Sequence, residues 1–168
     1  MIFAPEMLHN SAMSLRPLRT LLLAALMVPN PWTLQAAQAA LGSDAASITA
    51  DAADARGDEV VTALPLFELH VISTGDGLRI SEYVDHAGIV FAVTWAGPVL
   101  PDLRALLGAS YARFAAALAA QGPTASHRSL RVTTTDLVVE NSGHMRALTG
   151  RAYLPARLPA GVAVTDVR

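Results

Sequence analysis

The chain contains no cysteine. That absence excludes disulfides, thiolate metal sites, thiol redox catalysis and a lipid-modified N-terminal cysteine. It contains no lysine either: all 12 basic residues are arginine, which together with the abundance of alanine reads as the signature of a GC-rich genome rather than a functional demand. Charge is sparse, at 15% of residues with a formal net of −2, and no basic block stands out. An electrostatic grip on nucleic acid therefore has nothing to build on. Aromatic residues amount to only 5%, so Phe91, Trp95, Tyr111 and Phe114 are expected to be spent on packing rather than on a ligand pocket. Hydrophobic residues reach 52% of the 168, but much of that is alanine and much of it lies in the first forty positions. The length leaves room for one domain.

The first forty residues have the three-part pattern of an export signal. Arg16 and Arg19 precede an apolar run at 21–28 that Pro29 and Pro31 terminate, and a run of that length falls short of the roughly 20 residues a membrane-spanning helix needs. Ala37-Gln38-Ala39 then offers small residues at both positions a signal peptidase reads. A signal peptide is expected over 1–39, with a periplasmic or secreted product and no stable membrane span after cleavage. Glu6 and His9 fit the signal less well and Met13 opens a more ordinary one, which points to Met13 as the start. Residues 40–63 are expected to form a mobile or weakly helical leader, since Ile48 is the one large apolar residue between Gly42 and Glu59.

A single α+β domain is expected over 64–168. Phe67, Leu69 and Val71 alternate with Glu68 and His70, and Gly75-Asp76-Gly77 supplies a tight turn into a second alternating run. After His86-Ala87-Gly88, residues 89–96 are apolar on both sides, as a central strand should be, with Ile89, Phe91, Val93 and Trp95 on one face. Pro101-Asp102 opens a helix that Gly108 kinks or splits and Gly122-Pro123 stops. Two further strands, 130–140 and 144–154, are separated by Asn141-Ser142-Gly143, with a bulge expected near Asp136 where the apolar parity changes. The tail reads as an extended segment crossing an edge. The expected architecture is thus β-β-β-α-β-β, an antiparallel sheet of about five strands with one main helix on a face. An outer-membrane barrel would need at least eight strands.

Ala40-Leu41-Gly42, Glu82-Tyr83-Val84, Val90-Phe91-Ala92-Val93-Thr94-Trp95-Ala96-Gly97-Pro98, Pro101-Asp102-Leu103, Leu106-Leu107-Gly108, Gly143-His144-Met145-Arg146-Ala147, Gly150-Arg151-Ala152-Tyr153-Leu154-Pro155 and Leu158-Pro159-Ala160-Gly161-Val162 together resemble the bacterial exported family catalogued as domain of unknown function 2844. The resemblance spans nearly the whole mature chain. It implies an exported address and carries over no catalytic residue, ligand or cofactor.

Read for chemistry, the residues give little. His70, His86, His127 and His144 have no zinc-ligand spacing, so no metal and no cofactor is expected. Gly75-Asp76-Gly77 leads into a strand rather than a helix, which makes it a turn and not a nucleotide loop. Gly108-Ala109-Ser110-Tyr111-Ala112 lacks the last glycine of a nucleophile elbow. Glu82 shares the parity of Leu78, Ile80 and Val84, so it is expected to face the apolar side and to need a partner from Arg146, Arg151 or His144. Arg146, Arg151 and Tyr153 are the binding candidates. The first reading is a non-enzymatic exported module that binds an envelope partner through a sheet edge or the hairpin around His144. The alternatives are a small hydrolase-like enzyme with Glu82 and His144 as acid and base, and a purely structural envelope component. N-terminal sequencing of the exported protein is expected to begin at Ala40; an intact Met1 would contradict the signal.

Overall fold

A computed structural model describes residues 41–48, 52–53, 56–122 and 129–168, so the expected signal segment, parts of the expected leader and His127 lie outside the described residues. Alternation of apolar and polar side chains builds one antiparallel sheet from β1 (Asp58–Ala63), β2 (Glu68–Ser73), β3 (Arg79–Val84), β4 (Val90–Gly97), β5 (Ser129–Thr133), β6 (Val138–His144) and β7 (Ala147–Tyr153). In space the order is β1-β2-β3-β4-β7-β6-β5. Two meanders meet where β4 pairs with β7, and the connection from β4 to β5 carries α1 (Leu103–Leu107) and α2 (Tyr111–Gln121). The α+β class and the main helix agree with expectation; the sheet has seven strands rather than about five.

The strand count rises for two reasons. β1 falls in the segment read as leader, and as an edge strand it buries little: Val60 and Val61 are 60% and 53% exposed. Backbone pairing to β2, from Asp58↔Ser73 to Ala63↔Glu68, holds it in place of burial, so no apolar pattern announced it. The same segment is fixed at its start, where Leu41 N–H donates to the Leu106 carbonyl at 2.9 Å and Leu41 and Ile48 are buried. The second reason is a reversal at 134–137. There the Thr134 hydroxyl accepts from Leu137 N–H at 3.1 Å and donates to Asp136 Oδ1 at 3.0 Å, so a Thr/Asp turn stands where a bulge was expected. Asn141-Ser142-Gly143 accordingly lies within β6, and the following turn is Met145-Arg146, with Arg146 at φ 66°.

A bulge does occur, between β3 and β4. Tyr83 pairs with Ala92 and Val84 with Val90, which leaves Phe91 as the extra residue. The slip turns Phe91 to the side of Tyr83 and Phe67, while Val90, Val93 and Trp95 join the core beneath the helices. Phe91 was expected to share a face with Val93 and Trp95, and the bulge separates them.

The helices begin where Asp102 Oδ1 accepts from the Arg104 and Ala105 N–H groups at 2.8 and 3.3 Å. Gly108, at φ 47°, splits the helical run into α1 and α2. Leu106, Leu107 and Phe114 then pack on Val93, Trp95, Val132, Val139 and Ala152, each large apolar side chain contributing about 1.5–3 kcal/mol. The tail does not cross an edge. It turns at Pro155–Arg157 and Val164–Asp166 and returns over the opposite sheet face, where Val167 is fully buried with Phe67, Tyr83, Phe91 and Tyr153.

In the β2–β3 turn, the Thr74 hydroxyl and the Leu78 N–H donate to Asp76 and hold its carboxyl below the ordinary carboxylate value. This contribution to the hairpin is present above about pH 4 and is lost as pH falls through the lowered value. At the β4–β7 seam, the Trp95 indole lies against Gly150, where a Cβ would collide with ring atoms Cε2 and Cζ2, and Nε1–H donates to Asn141 Oδ1 at 3.1 Å. Gly150→Ala is expected to destabilise the fold by about 1–3 kcal/mol in urea denaturation, and part of that loss should return in the double variant with Trp95→Leu.

Candidate functional site

Cross-strand register places each candidate residue. One row on the helix face runs His70, Glu82, Val93, Ala152, Val139, Val132. Glu82 is 1% exposed and sits on the apolar side, as its parity predicts. Its cross-strand neighbour is His70, whose Nδ1 lies 2.8 Å from Glu59 Oε1 and whose Nε2 lies 3.8 Å from Glu68 Oε2. None of Arg146, Arg151 or His144 shares that place. Arg151 belongs to the other face, and Arg146 and His144 are exposed at the β6–β7 turn. His144 is five residues along β6 from the Glu82 row and three strand spacings away, on the order of 20 Å by strand geometry. Proton-transfer partners must reach one substrate, and the sheet does not bring Glu82 and His144 together for that. Among the described residues no group of three or more His, Asp or Glu side chains is placed to hold a metal ion.

The opposite face divides into an apolar and a polar half. Tyr83, Ala92, Tyr153 and Val138 form one row, covered by the tail through Val167, with Leu158, Val162 and Val164 alongside. The next row reads Ser81, Thr94, Arg151, Glu140, Arg131, and the one beyond it Arg79, Ala96, Thr149, Ser142, Ser129. These two rows floor an open trough of about 800 Å³ with Val167 and Arg168 in its wall. That is a volume suited to a small molecule.

Arg151 joins the two halves. Its Nε donates to Glu140 Oε2 at 2.6 Å and its Nη1 to the carbonyls of Val164 and Val167 at 3.0 and 3.3 Å. The rigid guanidinium fork thus ties the tail to the sheet in a way a lysine could not. Glu140 also receives Arg131 Nη1 at 3.2 Å. The Tyr83 hydroxyl donates to the main-chain oxygen of Arg168 at 2.7 Å and accepts from its N–H at 3.0 Å. Of the binding candidates, Arg151 lines the trough, Tyr153 is buried beneath the tail, and Arg146 is remote from both. Arg79, Arg131, Arg168, Ser81 and Thr94 went unnoticed in the sequence. Each occupies a strand position or terminus that reads as ordinary polar surface until the register aligns them.

The sequence from 37 to 167 matches the family described as "Protein of unknown function (DUF2844)". The chain belongs to that family. The DUF2844 match takes in every described strand, both helices and the tail as far as Val167. Comparison with curated proteins finds no match, and comparison with solved structures finds none either.

Arg151→Met removes three hydrogen bonds from one charged group. The expected loss is about 1.5–3 kcal/mol, accompanied by faster proteolysis within 155–168 while the sheet itself remains protected.

Proposed function

We propose that this DUF2844 protein is an exported module that binds rather than transforms its ligand, with the trough on the open sheet face as the binding site. The observation that carries this reading is the alignment of two polar rows into a concavity beside an apolar half already closed by the tail. A periplasmic or secreted address is supported by the Arg16/Arg19, apolar run and Ala37-Gln38-Ala39 pattern, which lies almost wholly ahead of the family match. No helix among the described residues is long and apolar enough to cross a membrane. Binding is favoured over hydrolysis because the acid and base singled out from the sequence sit on different parts of the sheet. The trough replaces the His144 hairpin as the favoured contact surface because it is a concave region to which several strands contribute.

The test is native mass spectrometry of the protein purified from the envelope or culture-fluid fraction, beside a Thr149→Trp variant that fills the trough. A bound adduct in the wild type that disappears in the variant supports the reading. Absence of any adduct, or one that survives Thr149→Trp, overturns it.

A further inference from the structure

We infer that the trough takes a small amphipathic anion, a molecule with one oxyanion headgroup and a short apolar body, held by Arg79 and Arg168 over the hydroxyls of Ser81 and Thr94. The inference rests on the reading of the trough as the binding site and adds to it the chemistry of the ligand.

Charge is the first argument. The whole chain carries 14 acidic and 12 basic side chains, yet the trough is lined by Arg79, Arg131, Arg151 and Arg168 against the single side-chain carboxylate of Glu140. Both oxygens of Glu140 are engaged, Oε1 by Arg131 and Oε2 by Arg151. No side-chain carboxylate therefore remains in the lining to neutralise Arg79 or Arg168, and neither guanidinium has an ion-pair partner among the described residues. Several like charges in a concavity with low-dielectric walls concentrate potential of one sign there and favour an incoming anion.

The floor supplies the second argument. Ser81 and Thr94 are each only 7% exposed, and both line the trough. Neither hydroxyl has a hydrogen bond to another described residue. Neither oxygen is among the sealed polar atoms that lack a partner, so each opens on the trough, where it can donate to a headgroup oxygen. The two face each other across β3 and β4 in register, and Arg79 lies two residues along the same face of β3. Arg168 is anchored to Tyr83, two residues from Ser81 in the other direction on that face. Two cations thus flank a pair of hydroxyl donors.

The apolar part of the ligand follows from the remaining lining. Leu69, Ala96 and Val167 present hydrocarbon beside the hydroxyls, continuous with the covered apolar half through Val167. A bare inorganic anion would leave that surface wet.

The experiment is calorimetric titration of the protein with octyl phosphate and decanoate, against octyl glucoside, octyltrimethylammonium and inorganic phosphate, with amide NMR shifts to locate each. Octyl phosphate or decanoate is expected to bind at least about tenfold tighter than the neutral and cationic amphiphiles and to shift Ser81, Thr94 and Thr149. The stronger of the two identifies which oxyanion the headgroup carries. Arg79→Gln and Arg168→Gln should each weaken binding about tenfold, with an unchanged thermal midpoint as the check on folding. Equal binding of the cationic amphiphile, inorganic phosphate binding as tightly as octyl phosphate, or shifts confined to β1 would each overturn the inference. A trough-dependent native adduct together with no response to either anion would leave the binding module standing and remove the anion.

Discussion

The antiparallel pairing of β4 with β7 is the contact on which the other parts depend. It joins two meanders that are otherwise separate hairpin stacks and makes one sheet with two usable faces. β4 is buried on both sides through most of its length, so its partner must be accommodating. β7 meets that demand with small residues on the helix face: Ala152 beside Val93 and Gly150 beneath the Trp95 ring. A larger residue at either place would lift the helices or separate the strands. The same pairing brings Thr94 and Arg151 side by side on the other face, so core packing and site geometry share one register.

That other face is divided by the tail, and the division is electrostatic as much as steric. Where the tail lies, its carbonyls are consumed by Arg151 and its main chain by Tyr83. In the trough beside it, arginine side chains outnumber acidic ones. The Arg131–Glu140–Arg151 cluster is only partly sheltered from solvent, so the net stability it contributes is modest. Its greater consequence is positional: Glu140 absorbs two of the four cations and leaves the other two to whatever enters.

The features legible in the sequence were those with strong local chemistry. Gly75-Asp76-Gly77 marked the β2–β3 turn, the doubly apolar run marked β4 as central, Asp102 marked the helix start, and the parity of Glu82 placed it inward. What escaped was determined at long range. β1 is stabilised by a neighbour's backbone and leaves no burial pattern. The reversal at 134–137 uses threonine and aspartate hydrogen bonds with no glycine or proline to announce it. The Phe91 bulge exists only as a relation between two strands. For the site, Arg151 was singled out on one hairpin, but its companions come from β3, β4, β5 and the tail, and alternating polar residues on separate strands look like solvent-facing surface until the pairings are known.

The anchoring of the tail also has a kinetic meaning. Within the β1–β4 meander, contacts are local and cost little chain entropy to form; the β4–β7 seam must instead close the long connection that carries both helices. Tyr83 stands on β3 and Arg151 on β7, on either side of that seam. The tail can engage both only after the two meanders have joined. A trough wall held at both anchors therefore requires the joined sheet behind it, and the tail is tied to the assembled whole rather than to either meander alone.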